Sequence, residues 1–310
     1  MSNNDFLKGS IVALVTPFRN GELDLPALRK LVEFHVEEGT DALVPCGTTG
    51  EAPTLSPDEH KMVVETVMEA ANGRVPVIPG TGSNCTAKTI AMTEHARTVG
   101  AAAALVVAPY YNKPTQAGLY EHYRKVAEEV DIPIVVYNIA GRTGINIETE
   151  TLARMAYEID NIVAVKEASG SVDQMSRVIE SCGKDFSVLS GDDALTLPLM
   201  ALGGRGVISV IANLIPRTVC KLTQAALEGN WNEARALHFK MSPLCRAMFL
   251  ESNPGPVKAA MGMLGVIDPE VRLPMMPLGK ENTRRVRNAL LSYGSDGKTL
   301  MSALNALQVD

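Results

Sequence analysis

The segment IVAVKEASG, residues 162–170, decides how the rest of the chain is interpreted. Its first four residues are apolar, which predicts a strand buried on both faces, as in a parallel sheet covered by helices. The strand ends on Lys166. Burial disfavours the charged form of a lysine and lowers its pKa, which frees the amine to attack a carbonyl. The alternative is a strand-end lysine whose ammonium group extends to solvent.

Apolar strands and amphipathic helices alternate on both sides of this segment, up to residue 229. The predicted strands are 11–15, 41–45, 75–78, 103–107, 133–137, 162–165, 186–190 and 206–210. The predicted helices are 26–38, 57–72, 86–100, 115–130, 148–158, 172–182, 194–202 and 216–228. Eight strand–helix units predict an α/β fold of the (β/α)8 TIM-barrel type rather than an open doubly wound sheet. No G-x-G-x-x-G motif opens the first helix, which argues against a dinucleotide-binding fold.

The remaining residues have helical periodicity punctuated by prolines. The predicted helices are 233–249, 257–264, 282–292 and 300–307. The sequence therefore predicts two domains, a (β/α)8 catalytic barrel over residues 1–229 and a small all-helical appendage over residues 230–310.

Composition and charge exclude several kinds of binding partner for this chain. The chain has 310 residues, a net charge of -6 and a pI near 5.5, which argue against nucleic acid or an anionic membrane. No apolar run reaches the roughly 18 residues of a membrane span, and residues 1–5 lack the basic start of a signal peptide. Five scattered cysteines and five separated histidines form no C-x-x-C or H-E-x-x-H motif. We therefore expect reduced thiols, a cytoplasmic location and no metal site.

Polar motifs follow several of the predicted strands. A barrel of this kind carries its active site at the C-terminal ends of the strands. The motifs found there are 47–51 (GTTGE), 110–112 (YYN), 137–138 (YN), 141–144 (GRTG), Lys166 and 191–193 (GDD). Each is weak alone, since a glycine loop can be a plain turn and a loop tyrosine usually packs. Together, an amine, phenols, hydroxyls and a guanidinium suit carbonyl chemistry on a carboxylate substrate.

These motifs, in this order, resemble the dihydrodipicolinate synthase family. Its members are pyruvate-dependent class I aldolases related to N-acetylneuraminate lyase. The resemblance runs from about Gly9 to about Leu278 and includes the tail motif 253–258 (NPGPVK). It implies condensation of pyruvate with L-aspartate 4-semialdehyde to 4-hydroxy-tetrahydrodipicolinate, which leads to diaminopimelate and lysine.

The resemblance also implies catalytic roles. Lys166 would form a Schiff base with pyruvate, so that no cofactor is needed beyond this covalent imine. Tyr137 would relay protons, and Thr48 would link it to Tyr111 of a neighbouring subunit. The family suggests a homotetramer built as a dimer of dimers.

Four further residues would bind the substrates. Thr49 and its backbone would hold the carboxylate of pyruvate, and Arg142 the carboxylate of aspartate semialdehyde. Gly191 and Ile208 would line the site with main-chain groups.

Two features favour the synthase over related lyases. Both residues after Gly47 are threonine, where sialic acid lyases resemble G-S-T-G, and Arg142 lies in a G-R-T-G run that those lyases lack. Two alternatives stay open. One keeps the mechanism with another aldehyde, such as a sialic acid or a keto-deoxy-sugar acid, and the other is a non-catalytic binding protein on the same barrel.

The chain departs from the family pattern at several positions. Ala140 stands where the family usually has proline, which is expected to loosen the loop that aims Arg142. Gly255 replaces a usual bulky aliphatic residue in the tail motif.

A third departure concerns regulation. Family enzymes that lysine inhibits usually carry a histidine and an acidic residue at a cleft between subunits. Here Pro57 and Lys88 occupy those positions, while Asn84, His60 and Tyr110 remain. Because Lys88 would repel the ammonium groups of lysine, the sequence predicts weak or absent lysine inhibition.

Overall fold

One curved parallel sheet organises the chain. A computed structural model describes residues 5–294. The seven sheet strands are β1 (Gly9–Ala13), β4 (Ala42–Val44), β5 (Ala104–Val107), β6 (Ile134–Asn138), β7 (Ile162–Glu167), β8 (Ser187–Ser190) and β9 (Gly206–Ser209). They pair in the order β4-β1-β9-β8-β7-β6-β5, and every pairing is parallel. A small antiparallel hairpin, β2 (Phe18–Arg19) and β3 (Glu22–Leu23), follows β1 and was not predicted.

The barrel closes between β4 and β5 through residues 76–80. Single parallel bridges join Leu43 to Val77 and Gly80 to Leu105. Pro76 and Pro79 have no N–H to donate, so the segment makes isolated bridges rather than a continuous ladder. The predicted third strand, 75–78, is therefore present as a bridging segment. The predicted eight-fold barrel is confirmed.

Helices cover the outside of the sheet. The barrel helices are α1 (Leu25–Glu37), α2 (Pro57–Ala71), α3 (Thr86–Thr98), α4 (Gln116–Glu129), α5 (Ala140–Thr143), α6 (Thr149–Glu158), α7 (Val172–Cys182), α8 (Thr196–Ala201) and α9 (Pro216–Leu227). Local sequence begins several of them. Ser56 forms a capping box with Glu59 at the start of α2, and the Thr115 hydroxyl caps α4. The short helix α5, which carries Arg142, was not predicted.

Alternation along the strands decides which side chains enter the barrel. Val135, Tyr137 and Ala164 belong to the cluster inside the barrel, whereas Val136 and Val165 pack outward against the helices. Because successive side chains of a strand point to opposite faces, Lys166 follows Ala164 into the interior. The sequence of β7 thus places one buried amine inside the barrel.

Up to residue 294, three helices follow the barrel: α10 (Trp231–Ala247), α11 (Gly255–Met263) and α12 (Lys280–Gly294). Their side chains Met241, Leu244 and Val257 share one apolar core with Leu31 and Val64 of the barrel helices. The appendage is therefore packed on the barrel, and the boundary at 229/230 stays a prediction. The predicted helix 300–307 lies outside the described residues. No helix within residues 5–294 is both long enough and apolar enough to cross a membrane.

Candidate active site

The side chain of Lys166 is buried beside Tyr137. Lys166 and Tyr137 are register partners on β7 and β6, and the Lys166 Nζ lies 4.3 Å from the centre of the Tyr137 ring. Lys166 is only 5% exposed, so the alternative in which its ammonium reaches solvent is wrong. Burial lowers the pKa of Lys166 to about 7, attraction by Asp193 opposes this shift, and repulsion by Arg142 adds to it. Near neutral pH a large fraction of this amine is therefore unprotonated and nucleophilic.

Tyr137 carries a proton next to this amine. Burial raises its pKa to about 12, while a hydrogen bond with the Thr48 side chain and the charge of Arg142 act in the opposite direction. The phenol is consequently protonated at neutral pH and can donate or pass on a proton. The structure thus brings Lys166, Tyr137 and Thr48 together, and their catalytic roles stay predictions.

Gly191 leaves room for the lysine side chain. A Cβ atom at this position would lie 2.6 Å from the Cβ of Ala168 and 3.2 Å from the Cε of Lys166. The Gly191 N–H donates to the Glu167 carbonyl at 2.8 Å, so its own carbonyl is the group left to line a site. Ile208 lies fully buried inside the barrel on β9.

Asp193 belongs to the GDD motif, 191–193, and the sequence by itself indicated no function for it. It is 3% exposed, and its carboxylate accepts hydrogen bonds from the Ser209 hydroxyl at 2.5 Å and from the backbone N–H groups of Val210 and Ile211 at 3.0 and 3.1 Å. Burial raises its pKa, and these three bonds oppose that shift. Because both carboxylate oxygens are already bonded, Asp193 acts on Lys166 through its charge. The sequence signal for this placement was that the GDD motif directly follows β8, at the end of the barrel that carries the site.

Thr49 and Arg142, the two residues predicted to bind carboxylates, both form hydrogen bonds with Asn253. Asn253 Nδ2 donates to Thr49 Oγ1 at 2.9 Å, and Arg142 Nη2 donates to the Asn253 backbone carbonyl at 3.1 Å. Thr49 and Asn253 are 2% and 5% exposed, whereas Arg142 is exposed on α5. In the sequence Asn253 is only the first residue of the tail motif, and no local pattern indicates these two contacts.

Tyr111 stands apart from this group in the single chain. Its side chain is 89% exposed, its φ is +73°, and its N–H donates to the Thr143 carbonyl at 3.4 Å. A non-glycine residue rarely adopts such a φ, and such strain is commonly found at functional sites. The predicted action of Tyr111 in a neighbouring subunit stays a prediction.

The two departures in the motifs are compatible with the local backbone. Ala140 is the first residue of α5, a position at which proline is also accepted. Gly255 is the first residue of α11, and a Cβ atom there would make only an ordinary contact of 3.6 Å with Leu278. Gly255 therefore leaves some space next to Leu278 without requiring glycine.

The comparisons with known proteins agree with this geometry. The model of the dihydrodipicolinate synthetase family matches residues 6–292. The chain belongs to this family. The 4-hydroxy-tetrahydrodipicolinate synthase of Syntrophus aciditrophicus is 55% identical over 290 residues, which cover 94% of this chain and 99% of that protein. The synthase of the same name from Aquifex aeolicus is 52% identical over 286 residues, covering 92% of this chain and 97% of the relative.

A solved structure extends the likeness to three dimensions. The crystal structure of dihydrodipicolinate synthase from Aquifex aeolicus superposes with a TM-score of 0.91 at 52% identity, covering 92% of this chain and 98% of that chain. The predicted membership of the family is confirmed. The activity predicted from the sequence is also the one in the names of these relatives.

Proposed function

We propose that this chain condenses pyruvate with L-aspartate 4-semialdehyde to give 4-hydroxy-tetrahydrodipicolinate, through an imine on Lys166. The observation that carries the proposal is the buried amine of Lys166 against the protonated phenol of Tyr137, in a chain of this family. The covalent imine takes the place of a cofactor.

The first step joins pyruvate to the enzyme. The neutral amine of Lys166 attacks the ketone carbon of pyruvate, and loss of one water molecule gives the imine. Tyr137 protonates the departing oxygen, and the hydrogen bond from Thr48 holds the phenol in place. The imine then draws electrons from the methyl carbon, which loses a proton to the Tyr137 phenolate and becomes an enamine.

The second step forms the carbon–carbon bond. The enamine carbon attacks the aldehyde of aspartate semialdehyde, and the aldehyde oxygen takes up a proton to become the 4-hydroxyl group. The amino group of the same substrate then attacks the imine carbon and displaces the amine of Lys166. The ring closes and the enzyme returns to its starting state, with one water molecule released overall.

The carboxylates of both substrates have candidate partners in the structure. We assign the carboxylate of pyruvate to Thr49 and its backbone, and the carboxylate of aspartate semialdehyde to Arg142. A guanidinium can form two parallel hydrogen bonds with a carboxylate. Arg142 is exposed on α5, which suits the substrate that enters second.

The assembly and location belong to the same proposal. We place Tyr111 in the proton relay of a neighbouring subunit, within a homotetramer built as a dimer of dimers and located in the cytoplasm. The high exposure of the Tyr111 side chain supports a partner outside its own chain. A protein held as a monomer should then lose most of its turnover.

The test is a condensation assay with pyruvate and aspartate semialdehyde, coupled to a reductase that consumes NADPH. We expect turnover, and we expect Arg142→Ala to impair the use of aspartate semialdehyde far more than that of pyruvate. Borohydride trapping with pyruvate alone separates the two parts of the proposal. An adduct on Lys166 without condensation would retain the mechanism and reject the aldehyde, whereas no adduct would favour the binding-protein alternative.

A further inference from the structure

The tail motif 253–258 lies outside the barrel strands, and two of its residues contact the loops of the candidate active site. Asn253 precedes α11, and its side chain and backbone carbonyl contact Thr49 and Arg142 respectively. Lys258, within α11, forms a fully buried ion pair with Glu51 at 2.6 Å. Thr49 and Glu51 belong to the same loop, 47–51, so the motif holds that loop at two points.

The direction of the bond to Thr49 has a chemical consequence. The Asn253 amide donates and the Thr49 oxygen accepts, so the hydroxyl proton of Thr49 is not used in this bond. Within residues 5–294, Thr49 donates no hydrogen bond of its own. Its proton is therefore left to donate to a bound carboxylate, which is the role we propose for Thr49.

The two ends of the Asn253 amide differ in their contacts. Its Oδ1 is buried and has no hydrogen-bond partner within residues 5–294. The one hydrogen bond that the side chain makes within these residues is the one its N–H group donates to Thr49. An aspartate at this position has the same shape, but its carboxylate can only accept hydrogen bonds. The Thr49 hydroxyl would then donate to that carboxylate instead of to the substrate.

We propose that Asn253 is a positioning residue that sets both carboxylate-binding groups, orienting the Thr49 hydroxyl as a donor and fixing the Arg142 guanidinium through its backbone carbonyl. This inference rests on the proposed function and deepens it. It predicts that Asn253 governs the binding of pyruvate and aspartate semialdehyde more than the rate of the chemical steps.

The decisive variant is Asn253→Asp, because it keeps the shape and reverses the hydrogen-bonding direction. We expect the pyruvate concentration for half-maximal borohydride trapping to rise about 10-fold or more, since one donor to a carboxylate is lost and a negative charge is added. The backbone carbonyl that holds Arg142 remains in this variant, so the KM for aspartate semialdehyde and kcat at saturation should both change less than the trapping concentration. Asn253→Ala should raise the trapping concentration by a smaller factor.

The matched control is Asn232→Asp at the start of α10. Asn232 is exposed and accepts a hydrogen bond from Arg235 through Oδ1, which an aspartate would retain. This variant adds the same charge and should leave pyruvate trapping unchanged. Thermal unfolding of all variants separates weakened binding from a loss of folding.

A double-mutant cycle with Thr49→Val tests the route of the effect. If Asn253 acts on pyruvate through Thr49, then Asn253→Asp should weaken pyruvate binding far less in the Thr49→Val background than in the wild type. Equal effects in both backgrounds would overturn the inference. So would an Asn253→Asp protein with wild-type half-saturation, or one whose only change is a lower unfolding temperature.

The trapping experiment also separates the inference from the proposed reaction. A wild-type protein that traps pyruvate but does not use aspartate semialdehyde rejects the proposed aldehyde, and the link from Asn253 to Thr49 is still decided by trapping. A wild-type protein that traps no pyruvate overturns both.

Discussion

Two buried lysines of this molecule meet opposite surroundings. Lys166 and Lys258 are 5% and 0% exposed, and each Nζ lies 4.3 Å from the centre of an aromatic ring, that of Tyr137 or of Phe18. Burial lowers the pKa of both amines. The two sites differ in the acidic groups that oppose this lowering of the pKa.

Lys258 forms a direct ion pair with a carboxylate, whereas no ion pair of Lys166 is found within residues 5–294. The ammonium of Lys258 donates to Glu51 at 2.6 Å and to the Thr16 carbonyl at 2.9 Å, so its charge is compensated. The carboxylate near Lys166 belongs to Asp193, whose oxygens are already bonded to Ser209 and to backbone N–H groups. The charge of Lys258 is therefore compensated by a direct ion pair, whereas the pKa of Lys166 is lowered by burial with only the more indirect attraction of Asp193 against it.

The largest expected effect is the loss of the amine at Lys166. Lys166→Met removes the nucleophile, so no borohydride adduct with pyruvate and no condensation should be detectable. The free energy of unfolding should change by less than about 1.5 kcal/mol, because the volume is nearly conserved and no ion pair is broken. Intact mass after trapping and urea unfolding measure the two effects. Lys221→Met, at an exposed position on α9, is the control, and an adduct on the Lys166→Met protein would contradict the mechanism.

The same substitution at Lys258 should act on stability instead. Lys258→Met leaves the buried Glu51 carboxylate without its cation, which should cost about 3–5 kcal/mol. Unfolding in urea at neutral pH measures this loss. Adding Glu51→Gln should restore much of the stability, because the uncompensated charge is then removed. A Lys258→Met protein as stable as the Lys166→Met protein would remove the contrast between the two sites.

Lysine feedback extends the comparison to an exposed lysine. Lys88 lies exposed on α3, and Pro57 is the exposed first residue of α2. We expect submillimolar lysine to leave turnover nearly unchanged, because the charge of Lys88 repels a cationic ligand. Lys88→Glu should increase inhibition, whereas Lys30→Glu on the exposed face of α1 should not. Marked inhibition of the wild type would show that this prediction is wrong.

The smallest effect concerns the charge that opposes the burial of Lys166. Asp193 attracts the ammonium form and so raises the pKa of Lys166 relative to burial alone. Asp193→Asn removes this attraction and lowers that pKa further. Since the amine reacts only when unprotonated, the acid limb of imine formation, expected near pH 7 in the wild type, should move to lower pH. Cyanoborohydride trapping over a pH series measures this, and the exposed Asp185→Asn is the control. A shift to higher pH would exclude the assigned role.

The barrel and the strand that carries Lys166 were predictable because their signals are local. A short apolar run such as 162–165 is typical of a strand buried on both faces, and eight such runs alternating with helices leave few arrangements. The third strand was predicted less well, because Pro76 and Pro79 interrupt a ladder that the apolar pattern suggests. The short helix carrying Arg142 spans only Ala140–Thr143, too short for any periodicity to show.

The sequence by itself determined the eight-fold alternation, the strand that carries Lys166 and the family to which the chain belongs. Each depends on neighbouring residues or on the order of motifs, which a linear chain records directly. Only the tertiary structure decided which buried lysine is compensated and that Asn253 joins Thr49 to Arg142. Glu51 meets Lys258, and Thr49 meets Asn253, across more than two hundred residues of chain. No local pattern encodes such pairs, because folding alone brings their atoms within hydrogen-bonding distance.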